Sequence, residues 1–490
     1  MAKFEQKFTL LTKLKSFFKD TVTYGLAAVL PRAINIVLIS LFTDKLTTSE
    51  FSVNTSFYVY IAYLNVLLTY GMETAFFRFY NTEKKPLSVF STSFISLLAT
   101  ALMALIVLLL YAEPISAFMG FDRAIYFQLL ISIAILDTVM VIPFAYLRVL
   151  GKSKSYSLYK VLNALIFGVF NILFLVYLPL WTEGGKTISF YDPNLKEGYI
   201  FIANLIASVF TFFCLLSVIR KVEWVFDWSL WKKMMSYAWP VLVAGLAFTT
   251  NENLDKLVLD KLLGPEAMGA YAGAYKIGVI MMLYILAFRL GAEPFFFNLA
   301  KSENAKQTYA IVTKWFTILG VIFMLFVVVF IEPIAGLLLR SPDYMDALGI
   351  VPIILAANLF LGIYNNLSVW YKMTNKTRYG MYISVFGAVI TIVFLFTSIP
   401  ILGYFGAAWA TFVAYGVMML ISFVLGRRHY LVPYEYLRIS LYLIFGIGFS
   451  FVHFYSFKNN YILGCLGILA FLSILFFAER ATINKILKQV

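Results

Sequence analysis

The sequence predicts an all-α integral membrane protein of fourteen transmembrane helices. Two pseudo-symmetric six-helix lobes should surround a central cavity, with two extra helices at the C-terminus. Three observations predict this. Apolar runs of 18 or more residues recur along all 490 residues, 62% of which are hydrophobic and only 13% charged, a balance no soluble domain has. Lysine and arginine alternate between rich and poor loops, as the positive-inside rule requires. Three short signatures recur in order at a nearly constant spacing.

The expected spans are 22–43, 52–72, 87–111, 124–147, 156–180, 198–219, 237–259, 267–289, 308–330, 347–370, 379–399, 403–425, 437–456 and 460–478. Each is long enough to cross a hydrocarbon core of ~30 Å at a rise of ~1.5 Å per residue. Residues 1–20 read as an amphipathic interfacial helix: Phe4, Phe8, Leu11, Leu14 and Phe18 share one face and lysines ring the other. They lack the apolar core and small-residue cleavage site of a cleavable signal peptide. The formal charge of +14 is spread over short loops, so nucleic acid is not an expected partner. Cys214 and Cys465 lie in separate apolar spans and suggest neither a disulfide framework nor a metal site.

The N-terminal segment and every second loop carry 27 lysines and arginines, against 8 in the other loops. One missed span would scramble that alternation. Both termini are therefore expected in the cytoplasm. The longest outer loop, "WTEGGKTISFYDPNLKEG" at 181–198, is too short for a soluble domain. The basic and aromatic segment 220–239 is expected to lie on the membrane surface and join the lobes.

The repeat pairs "GMETAFFRF" (71–79) with "GAEPFFFNL" (291–299), "AEPISAF" (112–118) with "IEPIAGL" (331–337), and "GKSKSY" (151–156) with "NKTRY" (375–379). Spans 1–6 thus correspond to spans 7–12. The halves should share one orientation about an axis along the membrane normal. The expected organisation is an amphipathic segment at 1–20, an N-lobe at 21–220, a linker at 221–236, a C-lobe at 237–425, and the last two helices with a tail at 426–490.

Polar residues concentrate in spans 1, 2, 7 and 8, which are repeat equivalents. Span 1 has Arg32 just after Pro31, with Asn35 one turn on; span 2 carries Asn54, Tyr58, Asn65, Thr69 and Glu73. Span 7 contains "FTTNENLDKLVLD", with Asn251, Glu252, Asn253, Asp255, Lys256 and Asp260, and leaves a narrow apolar arc of Leu254, Leu257 and Val258. Glu252 and Lys256 are spaced to pair. Span 8 carries Tyr271, Tyr275, Lys276 and Arg289. A charge at a bilayer centre costs roughly 2.5–3.5 kcal/mol on insertion scales. Such residues should therefore line a hydrated cavity. Arginine grips phosphate oxygens bidentately, lysine adds a point charge, and tyrosines offer flat faces and hydroxyls to sugars.

Structural roles stand beside these. Arg32 can bond carbonyls freed by Pro31, and Asp255 and Lys256 can lie near the outer interface. Glu73 and Glu293 recur at repeat-equivalent span ends, which suits a shared structural role. Asp137, alone in span 4, is either a paired polar residue or a coupling-ion site. Asn365 and Asn366 suit bonds between helices. His429 and His453 do not read as catalytic.

The stretches "KDTVTYGLAAVLPRAINIVLISLFTDKL", "YGMETAFFRFYN" and "NENLDKLVLDKLLGPEAMGAYAGAYKIG" resemble the polysaccharide-transporter branch of the multidrug/oligosaccharidyl-lipid/polysaccharide exporter superfamily. The likeness is specific at Tyr24-Gly25, Pro31-Arg32, Asp255-Lys256, Leu263-Gly264 and Tyr271. It implies a flippase for undecaprenyl-diphosphate-linked glycans, acting by alternating access in surface polysaccharide biosynthesis. Arg32, Lys256 and Lys276 fall where members place cavity cations. Members often carry arginine at the position of Lys256, so a point charge replaces a bidentate donor there.

The resemblance also implies coupling to sodium or protons. Glu252, Asp255 and Asp137 are the carboxylates considered for it. No other cofactor, no metal and no enzymatic role are expected. The expected setting is a monomer in the bacterial inner membrane, among polysaccharide polymerases and glycosyltransferases of one pathway. Two alternatives remain at this level: a cation-coupled multidrug exporter of the same fold, and a membrane-embedded polymerase or glycosyltransferase. The short loops and a histidine total of 2 disfavour the second.

The charge bias predicts that a fluorescent protein fused after Val490 fluoresces and that alkaline phosphatase fused there stays inactive. Active phosphatase at that position would reverse the orientation.

Overall fold

The computed structural model describes residues 30–183, 191–299, 304–374 and 376–487. The amphipathic segment 1–20 and the Tyr24-Gly25 pair lie outside the described residues. Within them every regular element is a helix, and the protein is an all-α, multi-pass membrane protein. Twelve described helices are long and apolar enough to cross a membrane. They coincide in order with expected spans 2–6 and 8–14. Of expected span 1, only the part from residue 30 is described, and the helix that holds span 7 is too polar for the same measure.

The chain divides into two compact units, Met1–Lys261 and Leu262–Val490. The first holds α1 (30–45), α2 (Thr48–Thr69), α3 (Met72–Tyr80), α4 (Pro86–Leu110), α5 (Ala112–Phe118), α6 (Ala124–Val149), α7 (Ser153–Ile172), α8 (Leu178–Glu183), α9 (Lys196–Ile219) and all but the last residues of α10 (Trp228–Leu263). A π-helical turn at Leu173–Tyr177 joins α7 to α8.

Helix α2 starts at a capping box. The Thr47 hydroxyl accepts the Glu50 N–H at 3.2 Å, and the Thr47 N–H donates to the Glu50 carboxylate at 2.8 Å. Such caps contribute about 0.5–2 kcal/mol. The helix stops where Tyr70 and Gly71 adopt φ of 35° and 75°. Any side chain at Gly71 would also collide with α10, since a Cβ would sit 2.6 Å from the Ala238 carbonyl oxygen. The first copy of one signature therefore forms a turn and the separate helix α3.

Helix α10 begins at Trp228, well before residue 237, and passes through Pro240 without ending. Its start is fastened to α4. The Asp227 N–H donates to Thr92 Oγ1 at 3.1 Å, the Trp231 indole donates to Ser96 Oγ at 2.7 Å, and the Asp227 carboxylate accepts the Leu230 N–H at 2.9 Å. The loop before α9 is held by Asp192, which accepts the Asn194 N–H at 2.9 Å and pairs with Arg123 at 3.2 Å. Those bonds, the backbone one foremost, keep the Asp192 carboxyl below the ordinary carboxylate range.

The second unit holds α11 (Pro265–Gly278), α12 (Ile280–Leu299), α13 (Ala305–Val329), α14 (Ile331–Leu338), α15 (Val351–Leu367), α16 (Val369–Met373), α17 (Arg378–Leu402), α18 (Tyr404–His429), α19 (Tyr436–Phe457) and α20 (Tyr461–Leu487). Its core is the span containing α15, almost wholly buried, which packs on α11, α13 and α18. Both copies of the "EPI" signature form short helices, α5 and α14, directly after a long span.

Helices α19 and α20 dock on α13 through a buried ionic knot. Lys314 of α13 donates to Glu435 and to Glu479, each at 2.7 Å. Glu479 also accepts from the Tyr442 hydroxyl at 3.0 Å and meets Arg438 at 3.5 Å. Counting basic residues loop by loop passes over Lys314, since it lies inside a span. Removing one member of such a buried set leaves an uncompensated charge, at a cost of about 3–5 kcal/mol.

Lys314→Ala should therefore lower the Tm of the detergent-solubilised protein by several degrees and loosen residues 436–480 to protease. Lys314→Met combined with Glu479→Gln should recover most of the loss. Single and double variants of equal Tm would mean that the knot does not hold these helices.

Candidate functional site

The charged stretch of α10 is met inside the first unit. Lys256 and Asp255 are both buried, and the lysine ammonium lies 2.8 Å from the Asp255 carboxylate. The same ammonium donates to the Glu252 backbone carbonyl at 2.8 Å, one turn back, as its four-residue spacing allows. One turn further on, Asp260 accepts the Ser52 hydroxyl of α2 at 2.8 Å. The Tyr63 hydroxyl of α2 donates to Thr250 Oγ1 at 3.2 Å. Thus α10 bonds the face of α2 that carries Ser52 and Tyr63, opposite the stripe of Asn54, Tyr58 and Asn65, and Asn251 is buried. Each bond replaces one that water would otherwise supply, and lipid supplies none.

A second polar group lies deeper among α2, α6, α7 and α9. Asp137 of α6 accepts the Ser208 hydroxyl at 3.3 Å and bonds the Asn65 side chain. Lys160 of α7 is near enough to interact with its charge and sits 4.2 Å from the centre of the Phe144 ring. Next to it, Glu73 pairs with Arg148 at 3.4 Å. The Tyr58 hydroxyl accepts an amide N–H of Asn204 at 3.2 Å, and Asn163 bonds Thr211 at 3.0 Å. Tyr58, Asn65 and Asp137, singled out from the sequence for different roles, therefore belong to one network. Sequence reasoning missed Lys160, Ser208 and Asn204. Its available signal was a lysine inside an otherwise apolar run.

The remaining candidates are distributed as follows. Arg32 and Asn35 are exposed on α1. In the second unit Tyr271 and Tyr275 are buried with their rings 5.7 Å apart, Lys276 is half-buried, and Arg289 is exposed at the end of its span. The side chain of Glu293 lies outside the described residues. Asn366 donates to the Gly362 carbonyl at 3.0 Å, a bond within its own helix. Among the described residues, no group of three or more histidines, cysteines, aspartates or glutamates is placed to hold a metal ion.

Residues 17–299 match the family described as polysaccharide biosynthesis protein. The chain belongs to the polysaccharide biosynthesis protein family. Residues 240–397 also match the MatE family. No curated protein matches the sequence.

Among solved structures, the chain is similar to a lipid II flippase MurJ in an inward closed conformation, with a TM-score of 0.73 at 14% identity, covering 95% of this chain and 100% of that one. An inward-facing multidrug resistance MATE family transporter matches with a TM-score of 0.62 at 16% identity, covering 86% and 95%. A transporter from Pyrococcus furiosus, described as having a binding pocket of reverse polarity, matches with a TM-score of 0.60 at 14% identity, covering 87% and 96%. At these identities the likeness establishes the fold, which is that of the MOP-superfamily transporters.

The Asp255–Lys256 contact predicts unequal effects of single and double substitution. Asp255→Ala strands a buried ammonium and should cost about 3–5 kcal/mol, read as a fall in Tm and in membrane yield. Asp255→Asn with Lys256→Gln should restore most of both. A single variant as stable as the parent would show that the pair contributes no net energy.

Proposed function

We propose that the protein is a flippase that turns undecaprenyl-diphosphate-linked oligosaccharides across the bacterial cytoplasmic membrane, serving O-antigen, capsule or exopolysaccharide synthesis. Membership of the polysaccharide biosynthesis family over 17–299 carries this reading. A fold that aligns with a lipid II flippase along that protein's whole length supports it. So does the chemistry of the candidate set: cations for phosphate, and tyrosines and amides for sugar.

In this mechanism the diphosphate-sugar head enters from the cytoplasmic side while the lipid tail stays in the bilayer. Arg32, Lys256, Lys276 and Arg289 meet phosphate oxygens. Tyr58, Tyr271, Tyr275, Asn35, Asn65 and Asn251 meet the glycan. Tyr271, Tyr275 and Asn251 are buried in the structure described, so under this reading they reach the glycan only in a second conformation. Rocking between two such states needs them within a few kcal/mol of each other. Sodium or proton binding at Asp137, Glu252 or Asp255 biases the pair. Both termini lie in the cytoplasm, the protein acts as a monomer, and polymerases and glycosyltransferases of the pathway are its neighbours.

A cation-coupled multidrug exporter is the second reading, favoured by the MatE match over 240–397. Such a cavity should be acidic and apolar to attract organic cations, whereas lysine and arginine recur among the polar residues here. A polymerase or glycosyltransferase would act on a glycosidic bond, and would leave lipid-linked repeat units on the outer face when deleted.

In a strain lacking the protein, the parent chain should restore surface glycan. Arg32→Gln, and Lys256→Gln made together with Asp255→Asn so that no buried charge is stranded, should restore about a tenth of it or less, a loss of one strong ionic contact, at unchanged levels in the membrane. Full glycan display by both variants counts against the proposal. Altered drug susceptibility with unaltered glycan would favour the exporter.

A further inference from the structure

Between α9 and α10 the chain turns its aromatic side chains outward. Residues 222–227 form no helix. Trp224, Val225, Phe226 and Trp228 are all exposed, Trp224 at 64% and Trp228 at 56%.

The stretch is held in place by α4. Ser91 Oγ accepts the Glu223 N–H at 3.0 Å, Thr92 Oγ1 accepts the Asp227 N–H at 3.1 Å, and Ser96 Oγ accepts the Trp231 indole N–H at 2.7 Å. Phe94 of the same helix meets the Trp224 ring edge-on at 6.2 Å. Trp224 has a φ of 52°. That is a left-handed conformation which L residues rarely adopt, and keep only where their surroundings fix it. Trp228 and Trp231 stack at 4.7 Å, and Lys232 Nζ lies 5.5 Å from the centre of the Trp228 ring. Residues 222–231 therefore form a fixed aromatic ledge.

Its place along α4 sets its depth. Helix α4 runs 25 residues from Pro86, about 37 Å at ~1.5 Å per residue, against a hydrocarbon core of ~30 Å. Ser91 and Ser96 lie in the second and third turns after Pro86, so the ledge borders roughly the first 15 Å of the span. The boundary between headgroups and acyl chains falls there, and tryptophan favours that zone.

The ledge is also basic. Lys221, Lys232 and Lys233 flank it and are exposed; among the described residues none of them is paired with a carboxylate. Of the two acids in the stretch, Asp227 caps α10, which leaves Glu223 against three lysines. Among the described residues, the backbone N–H groups of Trp224, Val225 and Phe226 bond no protein acceptor. An open N–H is costly where acyl chains begin, and phosphate oxygens are strong acceptors for it.

These features select a ligand. A free inorganic anion uses the N–H groups and lysines and gains nothing from the indoles. A zwitterionic lipid sets its own ammonium against the lysines. An anionic glycerophospholipid uses all three.

We propose that this ledge is a binding site for an anionic glycerophospholipid of the leaflet that the charge bias assigns to the cytoplasm. The three N–H groups meet its phosphate, Lys221, Lys232 and Lys233 supply the opposing charge, and Trp224 and Trp228 pack on its glycerol and first acyl carbons. The lipid is a resident of the membrane and not the carried molecule, so the assignment stands apart from the flippase reading.

The test uses the purified full-length chain in lipid nanodiscs, with hydrogen–deuterium exchange read by mass spectrometry on peptides covering 222–231. Discs of phosphatidylcholine are compared with discs that also contain phosphatidylglycerol. In the parent, phosphatidylglycerol should slow exchange at Trp224, Val225 and Phe226 by about tenfold. Glutamine at Lys221, Lys232 and Lys233 together should remove most of that protection, and arginine at the same three positions should keep it. If the triple glutamine variant does not fold, Lys232→Gln with Lys233→Gln should still reduce the protection severalfold.

Equal exchange in the two kinds of disc overturns the site. So does protection that survives in the folded glutamine variants. Inorganic phosphate that protects the same amides in phosphatidylcholine discs as well as phosphatidylglycerol does would mark a free-anion site, and overturns the assignment to a lipid.

Discussion

A lysine that lies inside an apolar helix bundle has to find a carboxylate, because neither lipid nor packed side chains can take the place of its water shell. Both units of this protein are organised around that constraint. Lys256 lies 2.8 Å from Asp255 in the first, and Lys314 lies 2.7 Å from both Glu435 and Glu479 in the second. The two solutions differ in reach. The first is local, between neighbours on one helix, and leaves the remaining polar face of α10 to be met by α2. The second spans three helices and joins α19 and α20 to the body of their unit.

The Asp137 group shows the same constraint at lower charge density. Its carboxylate is held by Ser208, Asn65 and the field of Lys160, each from a different helix. Hydrogen bonds between membrane helices are individually modest. Their effect here is positional: they set the rotation of α2, α6, α7 and α9 about their axes. Glycines set the closest approaches, as at Gly71 against Ala238 and Gly362 against Phe316.

Much of the fold was legible because apolarity and length are local properties. The twelve apolar spans follow from hydropathy alone, in the expected order. The start of α10 was less legible. Residues 220–239 are aromatic and basic, which suits a surface segment as well as a helix. Its helix continues because Asp227 caps it and Thr92 and Ser96 of α4 hold the entry. Of the candidate residues, the α10 cluster stood out by its charge. Lys160 and Lys314 did not, because basic residues were weighed in loops and their carboxylates lie far away in sequence.

The sequence by itself determined the class of the protein, its family, the order of its spans and the concentration of charge in span 7. Each depends on residues that are neighbours or one turn apart. The tertiary structure alone decided which charge meets which. That Ser52 meets Asp260, and that Tyr58 and Asn65 share a network with Asp137, both depend on how helices rotate and pack. Many side chains at once determine that packing, and no short stretch of sequence carries it.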